Sequence, residues 1–258
     1  MLRQHLTLLS ERYKYVSLAE FVSRLAAKQS TTGLAAITYD DGYGPVVEDA
    51  AQLSSETGWP MTFYLPTRYL DSRQPFWYQE LKPLLDRSPV RGMKLDELNR
   101  SFRSLPSEPE VETQLRQLRR TLHGSEERPD WLKTTEPISW ERVRELARND
   151  ALSFEAHTVN HLALSRLNEA AIAAEMERCC DRIEEMTGRR VEHFCYPFGG
   201  LAEIGEAAQQ VARRRFRSAT TMLRGRCNCD SDLMMLPRVP LYEGNSQQMV
   251  ALKVAAAR

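Results

Sequence analysis

The sequence predicts an α/β fold whose parallel β-sheet is either open or closed into a barrel. Short apolar runs recur along the chain, and buried parallel strands typically have such continuous runs rather than strict alternation. Amphipathic helical patterns lie between the runs, and strands that alternate with helices are typical of βαβ units. We therefore expect strands at residues 34–39, 61–65, 151–154, 191–196, 218–223 and 236–241.

Helix start and stop signals support the same architecture. Ser17 and Glu20 have the spacing of a capping box, in which two side chains bond free backbone N–H groups at the start of a helix. Asn168 is expected to cap a longer helix that ends at Gly188. The other expected helices lie at 111–122, after Ser139 and near 202–216.

The length of 258 residues suffices for one large α/β domain or two small ones, and we expect a single domain over residues 1–258. The segment around 71–137 interrupts the alternation of strands and helices. It is long, rich in charge and proline, and helical only in patches. We interpret this segment as an insertion over one face of the domain.

The composition limits which classes of partner are expected for the chain. Lys+Arg and Asp+Glu both number 35, so the formal net charge is zero and nothing global indicates nucleic acid or an anionic membrane. No apolar stretch is long enough to span a bilayer. The start of the chain is charged rather than typical of a signal peptide, so the chain as given is expected to be cytoplasmic. Five irregularly spaced cysteines do not predict a disulfide framework.

Two adjacent carboxylates, Asp40 and Asp41, follow the first expected strand. Ligands of α/β folds bind at the carboxyl ends of strands. Gly42 and Gly44 allow a sharp turn, after which both carboxylates can face the mouth of the sheet. Two carboxylates held together repel, which raises one pKa unless a cation lies beside them. A metal ion with one carboxylate as ligand and the other as base resolves this conflict; a simple Asp-Asp-Gly turn is the alternative.

A pair of histidines, His157 and His161, follows the strand expected at 151–154. The two residues are four apart, so a single helical turn would place both imidazoles on one side. Neutral imidazoles at this spacing can bind one metal ion. Two unrelated surface histidines are the alternative explanation.

Together the two stretches supply a set of Asp, His and His. Three protein ligands with an open fourth position are typical of catalytic zinc sites. Such an ion lowers the pKa of a bound water toward ~7 and polarises a carbonyl oxygen, while the remaining aspartate takes the proton of the water. The residues therefore predict metal-assisted hydrolysis of an acyl bond, either an amide or an ester.

These motifs resemble those of the polysaccharide deacetylase family, whose domain is also called the NodB-homology domain. Residues 38–42 read Thr-Tyr-Asp-Asp-Gly where the family has Thr-Phe-Asp-Asp-Gly. Residues 157–161 read His-Thr-Val-Asn-His, which matches the family's His-Thr/Ser-x-x-His. A branch of the family has Phe-x-Tyr-Pro-Phe-Gly, and residues 194–199 read Phe-Cys-Tyr-Pro-Phe-Gly. Softer similarities extend the resemblance over about residues 13–241.

The resemblance implies a distorted, incomplete (β/α)7-type barrel and a hydrolase that removes acetyl groups from an N-acetylated or O-acetylated carbohydrate, a polysaccharide or a saccharide precursor. It implies Asp40 as general base and zinc, or another divalent ion, held by Asp41, His157 and His161. The backbone N–H of Phe198 is expected to bind the oxyanion. The further candidates for the substrate groove are Tyr196, Pro197, Arg238 and Trp77. Trp77 and its neighbour Tyr78 form either a sugar-stacking platform or part of the core.

The chain also departs from the family pattern. Cys195 stands where many members have an arginine, and Glu155 stands where relatives usually have a small residue. The late Leu-x-x-His motif, which supplies a general acid in many members, is missing. His193 and His123 are then the candidates to protonate the leaving amine, although a surface or structural role is the commoner explanation for each.

These departures keep two other functions open. One is a catalytically weak relative that binds glycans, and the other is a deacylase of a small non-carbohydrate amide or ester. Relatives also have a strand before the helix that begins here near Leu2. Either the barrel lacks that N-terminal strand or the chain as given starts late, in which case an upstream segment could carry an export signal.

Overall fold

The strands among the described residues form one parallel sheet of six and one of two. The computed structural model describes residues 2–88, 92–132, 134–242 and 244–257. The six-stranded sheet runs β3-β4-β5-β6-β7-β8, and each strand pairs in parallel with the next one along the chain. The strands are β1 (Lys14–Tyr15), β2 (Leu34–Ala35), β3 (Ile37–Tyr39), β4 (Met61–Leu65), β5 (Leu152–Ala156), β6 (His193–Cys195), β7 (Ser218–Arg224) and β8 (Leu236–Arg238).

The sheet curls into a half-barrel. Strands β2 and β3 belong to one extended segment that is interrupted at Ala36, and β1 pairs with the first part while β4 pairs with the second. At the other edge, Arg238 of β8 bonds Asp40, the residue directly after β3. The first and last strands of the six-stranded sheet are therefore brought close across the interior. The predicted distorted, incomplete barrel is confirmed, with the short strand β1 as an addition that the sequence did not indicate.

The helices begin where the capping signals predict. Ser17 accepts a hydrogen bond from the Glu20 N–H at 3.1 Å, and Asn168 accepts one from the Ala171 N–H at 2.9 Å. The helix expected near 202–216 is two helices. The α-helices are α1 (Leu2–Ser10), α2 (Leu18–Ala26), α3 (Gly44–Thr57), α4 (Thr67–Ser72), α5 (Trp77–Asp86), α6 (Leu95–Arg103), α7 (Glu108–His123), α8 (Trp140–Leu146), α9 (Glu169–Thr187), α10 (Leu201–Ile204), α11 (Glu206–Arg215) and α12 (Gln247–Ala256).

The two faces of the sheet have different environments. Phe63 of β4 is fully buried and stacks on Tyr39 and Phe154 in the neighbouring strands, within the main apolar core. Burial of a phenylalanine contributes about 1.5–3 kcal/mol. The opposite face carries polar pairs, such as Thr62 with Ser153 at 2.7 Å. The outer face, which carries Phe63, thus packs against the helices. The inner face, which carries Thr62 and Ser153, leads to the polar edge of the sheet where β3 and β5 end.

The segment predicted as an insertion contains α5, α6 and α7, which share an apolar cluster of their own. Within it, Arg119 of α7 makes a bidentate ion pair with Glu80 of α5, with both N–O distances 2.9 Å and both side chains buried. Burial raises the pKa of Glu80, and Arg119 offsets only part of that effect. The division into one domain and an insertion around 71–137 stays a prediction. Among the described residues, no helix combines the length and apolar character needed to cross a bilayer.

We expect Arg119→Met to lower the free energy of unfolding by about 3 kcal/mol, because it leaves the Glu80 carboxylate buried without its main partner. The double variant Glu80→Leu/Arg119→Met should recover most of this loss, since no buried charge remains. Urea unfolding of both variants and the wild type measures the difference. A double variant less stable than Arg119→Met would show that the loss in Arg119→Met does not come from an unpaired Glu80 carboxylate.

Candidate functional site

The turn after β3 directs two neighbouring carboxylates to different partners. Asp41 and Gly42 both have positive φ, at 71° and 66°. At Gly42 a Cβ atom would lie 2.7 Å from the buried Leu65 side chain, so only glycine fits there without a shift. Gly44 has a different role from the one predicted: it is the first residue of α3, and its N–H bonds the backbone oxygen of Glu136 at 2.9 Å.

Asp40 is bound by a guanidinium. Arg238 of β8 donates to both carboxylate oxygens of Asp40, each at 2.7 Å, and its Nε donates to the backbone oxygen of Thr221 at 2.8 Å. Burial raises the pKa of Asp40, but the charge and hydrogen bonds of Arg238 outweigh it, so the pKa lies below its ordinary value. Asp40 is thus held ionised and in one orientation.

The two oxygens of Asp41 have different surroundings. Oδ2 accepts a hydrogen bond from the Tyr78 hydroxyl at 2.8 Å. Oδ1 is buried without a hydrogen-bond partner and faces Nε2 of His157 at 3.5 Å and Nε2 of His161 at 3.3 Å. Burial raises the pKa of Asp41, but its interactions with the two histidines hold that pKa well below the ordinary value. Oδ1 therefore points at the space between two imidazole nitrogens.

Both imidazoles are buried, and their surroundings fix their orientation. Nδ1 of His157 lies 2.7 Å from the backbone oxygen of Cys195. Because a carbonyl can only accept, this nitrogen carries the proton and leaves the lone pair of Nε2 free for a metal ion. The ring of His161 makes edge-to-face contacts with the rings of Phe198 and Phe76, at centroid distances of 4.8 and 5.8 Å.

The predicted helical turn between the histidines is wrong, although the two rings do meet. Residues 157–163 form an irregular loop, in which Thr158 and His161 have positive φ of 67° and 54°. The carboxylate of Glu175 in α9 accepts the N–H groups of Val159 and Asn160 at 3.0 and 2.8 Å. The loop is shaped by these side-chain bonds rather than by helical hydrogen bonds, and Glu175 is a residue that sequence reasoning missed.

Two sets of donor groups lie within 4.8 Å of one another among the described residues. One set is Asp41, His157 and His161, and the other combines His157 with Asp40 and Cys195. In the second set, Nη2 of Arg238 lies 2.7 Å from Asp40 and 3.2 Å from the Cys195 sulfur. The guanidinium already places a positive charge there, so the first set is the one that suits a divalent ion.

Two side chains of the third motif are buried rather than arranged along a groove. The expectation that Tyr196 lines a groove is wrong, because its side chain is buried in the main core against Phe194 at 5.1 Å. Pro197 is buried as well, while Phe198 is partly exposed and has a positive φ of 61°. The Phe198 N–H has no acceptor among the described residues.

The structure places the two remaining candidates, Trp77 and Arg238, in different surroundings. Trp77 is 4% exposed and stacks on Phe102 inside the insertion, which makes it a core residue. Arg238 lies at the site through its bond to Asp40. Tyr78, which sequence reasoning considered only as a sugar platform or a core residue, donates a hydrogen bond to Asp41, and this role was not predicted.

Glu155 does not crowd the histidines. Its Oε2 accepts the backbone N–H groups of Glu192 and His193 at 2.9 and 2.7 Å, at the amino end of β6. The metal-ligand candidates lie past the carboxyl ends of β3 and β5, so the carboxylate of Glu155 points away from them. Its burial raises the pKa of Glu155 to about 8, although the two N–H groups favour the charged form.

The fold and this edge of the sheet define a class of protein: an α/β half-barrel with an Asp-His-His cluster beside a second, arginine-bound aspartate. A family model described as polysaccharide deacetylase matches residues 27–215, and the chain belongs to that family. The resemblance stated from the motifs is confirmed. Membership makes the chain a hydrolase of the carbohydrate deacetylase class.

Solved structures of low sequence identity share the fold. Streptococcus pyogenes deacetylase PplD, in complex with acetate, is 15% identical, has a TM-score of 0.65 and aligns over 97% of this chain and 84% of its own. A de-N-acetylase from Aggregatibacter actinomycetemcomitans is 14% identical, with a TM-score of 0.63 over 98% and 87% of the two chains. IcaB from Ammonifex degensii is 16% identical, with a TM-score of 0.62 and the same two coverages. No curated protein matches the chain.

The raised pKa of Glu155 predicts how stability depends on pH. The folded protein keeps this proton up to about pH 8, whereas the unfolded chain releases it near the ordinary value of 4.5. Between these values the folded state binds more protons, so the free energy of unfolding falls as the pH rises. In Glu155→Gln this fall should be smaller by about 4 kcal/mol between pH ~5 and pH ~8.5.

Urea unfolding of the chelator-treated protein at several pH values measures this difference. Glu177→Gln on the exposed face of α9 is the matched control and should follow the wild type. If Glu155→Gln also follows the wild type over the whole range, Glu155 is not protonated in the folded protein at neutral pH.

Proposed function

We propose that the protein is a metal-dependent deacetylase that hydrolyses the acetyl group of an N-acetylated or O-acetylated carbohydrate. The observation that carries this proposal is the arrangement of Asp41, His157 and His161, whose ligand atoms lie within 4.8 Å of one another. Asp40, the neighbour of Asp41, is free of that cluster because Arg238 binds it. One carboxylate is thus available to a metal ion and the other to a proton.

The donor set suits a divalent ion, and zinc is the ion we favour. Oδ1 of Asp41 and Nδ1 of His161 are buried without hydrogen-bond partners among the described residues. The ligand atoms of a metal site need no hydrogen-bond partner within the protein, because they bind the ion instead. The unpartnered Oδ1 of Asp41, which faces two imidazole Nε2 atoms, fits this description. One carboxylate and two imidazoles with room for further ligands are typical of catalytic zinc. A bound ion supplies Lewis-acid polarisation of water and of the acyl oxygen.

Asp40 acts as the general base. Arg238 keeps its carboxylate ionised below the ordinary pKa and directs both oxygens, so Asp40 can take a proton from the attacking water. The Phe198 N–H is the donor that we assign to the developing oxyanion, since it has no acceptor within the described protein. The Phe198 ring makes an edge-to-face contact with His161, so this residue lies beside the ligand cluster.

The proton for the leaving group comes from Asp40 as well. His193 is 2% exposed, bonds Ser218 through Nδ1, and burial lowers its pKa to about 4. His123 bonds the backbone oxygen of Leu84 inside the insertion. Because neither histidine touches the cluster, we infer that Asp40 first takes the proton of water and then returns it to the leaving nitrogen or oxygen as the acyl bond breaks.

The substrate class follows from the family and from the named relatives. The family model is described as polysaccharide deacetylase, and one structural relative is described as a de-N-acetylase. We therefore place an N-acetylated saccharide first and an O-acetylated one second. A glycan-binding role without catalysis is the alternative, and the metal content and turnover of variants distinguish it.

Substitutions at the cluster should separate metal binding from turnover. Asp40→Asn should retain zinc but lose acetate release by about 10²- to 10⁴-fold, because it removes the base and leaves the ligands in place. His157→Ala should lose both properties. Zinc content of the purified proteins and acetate release from a panel of N- and O-acetylated saccharides, before and after chelation, are the measurements. Full activity of Asp40→Asn would make the base assignment wrong.

Removal of the guanidinium should change the pH dependence of the reaction. In Arg238→Met the pKa of Asp40 rises, so the acidic limb of kcat/KM should move upward by about 1–3 pH units. Arg189→Met, which alters an ion pair with Asp150 on the surface, is the control and should keep the wild-type profile. An unshifted acidic limb in Arg238→Met would show that the limb does not report Asp40.

A further inference from the structure

A run of three aromatic residues connects the helical insertion to the ligand cluster. Phe76, Trp77 and Tyr78 lie at the start of α5, and each has a different partner. Phe76 is fully buried and contacts His161, while Trp77 packs inside the insertion. Tyr78 donates its hydroxyl hydrogen to Oδ2 of Asp41. The insertion therefore supplies a polar contact to one of the three candidate ligands.

This contact distinguishes the two oxygens of Asp41. Oδ2 is bonded to Tyr78 at 2.8 Å, and Oδ1 is the atom that faces the two imidazoles. A hydrogen bond to the second oxygen competes with coordination through that oxygen, so it favours binding of an ion through the first oxygen alone. If both oxygens bound, Asp41 would occupy a further coordination position, which catalysis needs for water and substrate.

The hydroxyl of Tyr78 is itself held in one direction. It accepts a hydrogen bond from the Tyr43 hydroxyl at 3.1 Å, so its own hydrogen is directed to Asp41. Its ring stacks on Phe76 at 5.1 Å. Two residues further along α5, the buried pair of Glu80 and Arg119 fixes the helix within the insertion. The donor to Asp41 is thus pre-oriented by the protein.

We propose that Tyr78 is a positioning residue that restricts Asp41 to one-oxygen binding of a divalent ion. This inference rests on the proposed metal centre of Asp41, His157 and His161. A hydrogen-bonded partner behind a ligand fixes the direction of the ligand, and loss of such a partner typically weakens metal binding by about 10- to 100-fold. The helical insertion then contributes to the metal site itself.

Tyr78→Phe tests the inference, because it removes one hydroxyl and keeps the ring. Zinc alone is the probe, and its affinity for the chelator-treated protein is measured by competition with a chromophoric chelator. We expect binding weaker by about 10- to 100-fold than in the wild type. The matched control is Tyr69→Phe, whose ring stacks on Phe76 at 4.0 Å but whose hydroxyl bonds no described residue. This control should keep the wild-type affinity.

A second measurement excludes a general loss of stability. The midpoint of thermal unfolding is recorded for each variant with and without zinc, so that each protein is compared with its own zinc-free form. A smaller zinc-dependent rise in Tyr78→Phe than in Tyr69→Phe supports the inference. Equal affinities and equal rises in the two variants overturn it and leave the metal centre standing. A wild-type protein that binds no zinc overturns both the inference and the proposed function.

Discussion

The ion pair of Asp40 and Arg238 is the interaction on which the rest of the site depends. It joins the end of the first strand of the six-stranded sheet to the last strand, across the open interior of the half-barrel. It also resolves the repulsion between neighbouring carboxylates, since Asp40 receives a fixed cation while Asp41 faces two imidazoles. The same ion pair therefore connects the two ends of the curled sheet and gives the two aspartates different partners.

The cysteine in the third motif is compatible with this arrangement. Many members of the family have an arginine at the place of Cys195, and here the guanidinium comes from Arg238 on β8 instead. The small thiol leaves space for it, with the sulfur 3.2 Å from Nη2. The backbone oxygen of Cys195 still bonds Nδ1 of His157. A guanidinium is therefore present beside Asp40 although residue 195 is a cysteine, so the departure is weak evidence for a lost activity.

Local sequence signals predicted most of the fold and the residues of the cluster. Apolar runs located six strands, and side-chain caps such as Ser17 marked helix starts, because both depend on near neighbours in the chain. The geometry between the histidines was predicted wrongly, since it depends on Glu175, which is fourteen residues beyond His161. The role of Tyr78 beside Asp41 was missed for the same reason: the bond between them spans 37 positions, and no local pattern encodes such a contact.

The helical insertion, which is distant in sequence, also supports two loops of the site. Its apolar cluster includes Leu162, the residue after His161, and Phe198 packs against the same cluster. Arg103 of α6 lies over the Phe198 ring at 4.7 Å from its centroid. The loop that carries a candidate ligand and the loop that carries the candidate oxyanion donor therefore share one support outside the barrel. Because packed cores resist small displacements, a change in this support should alter ligand and donor together rather than one at a time.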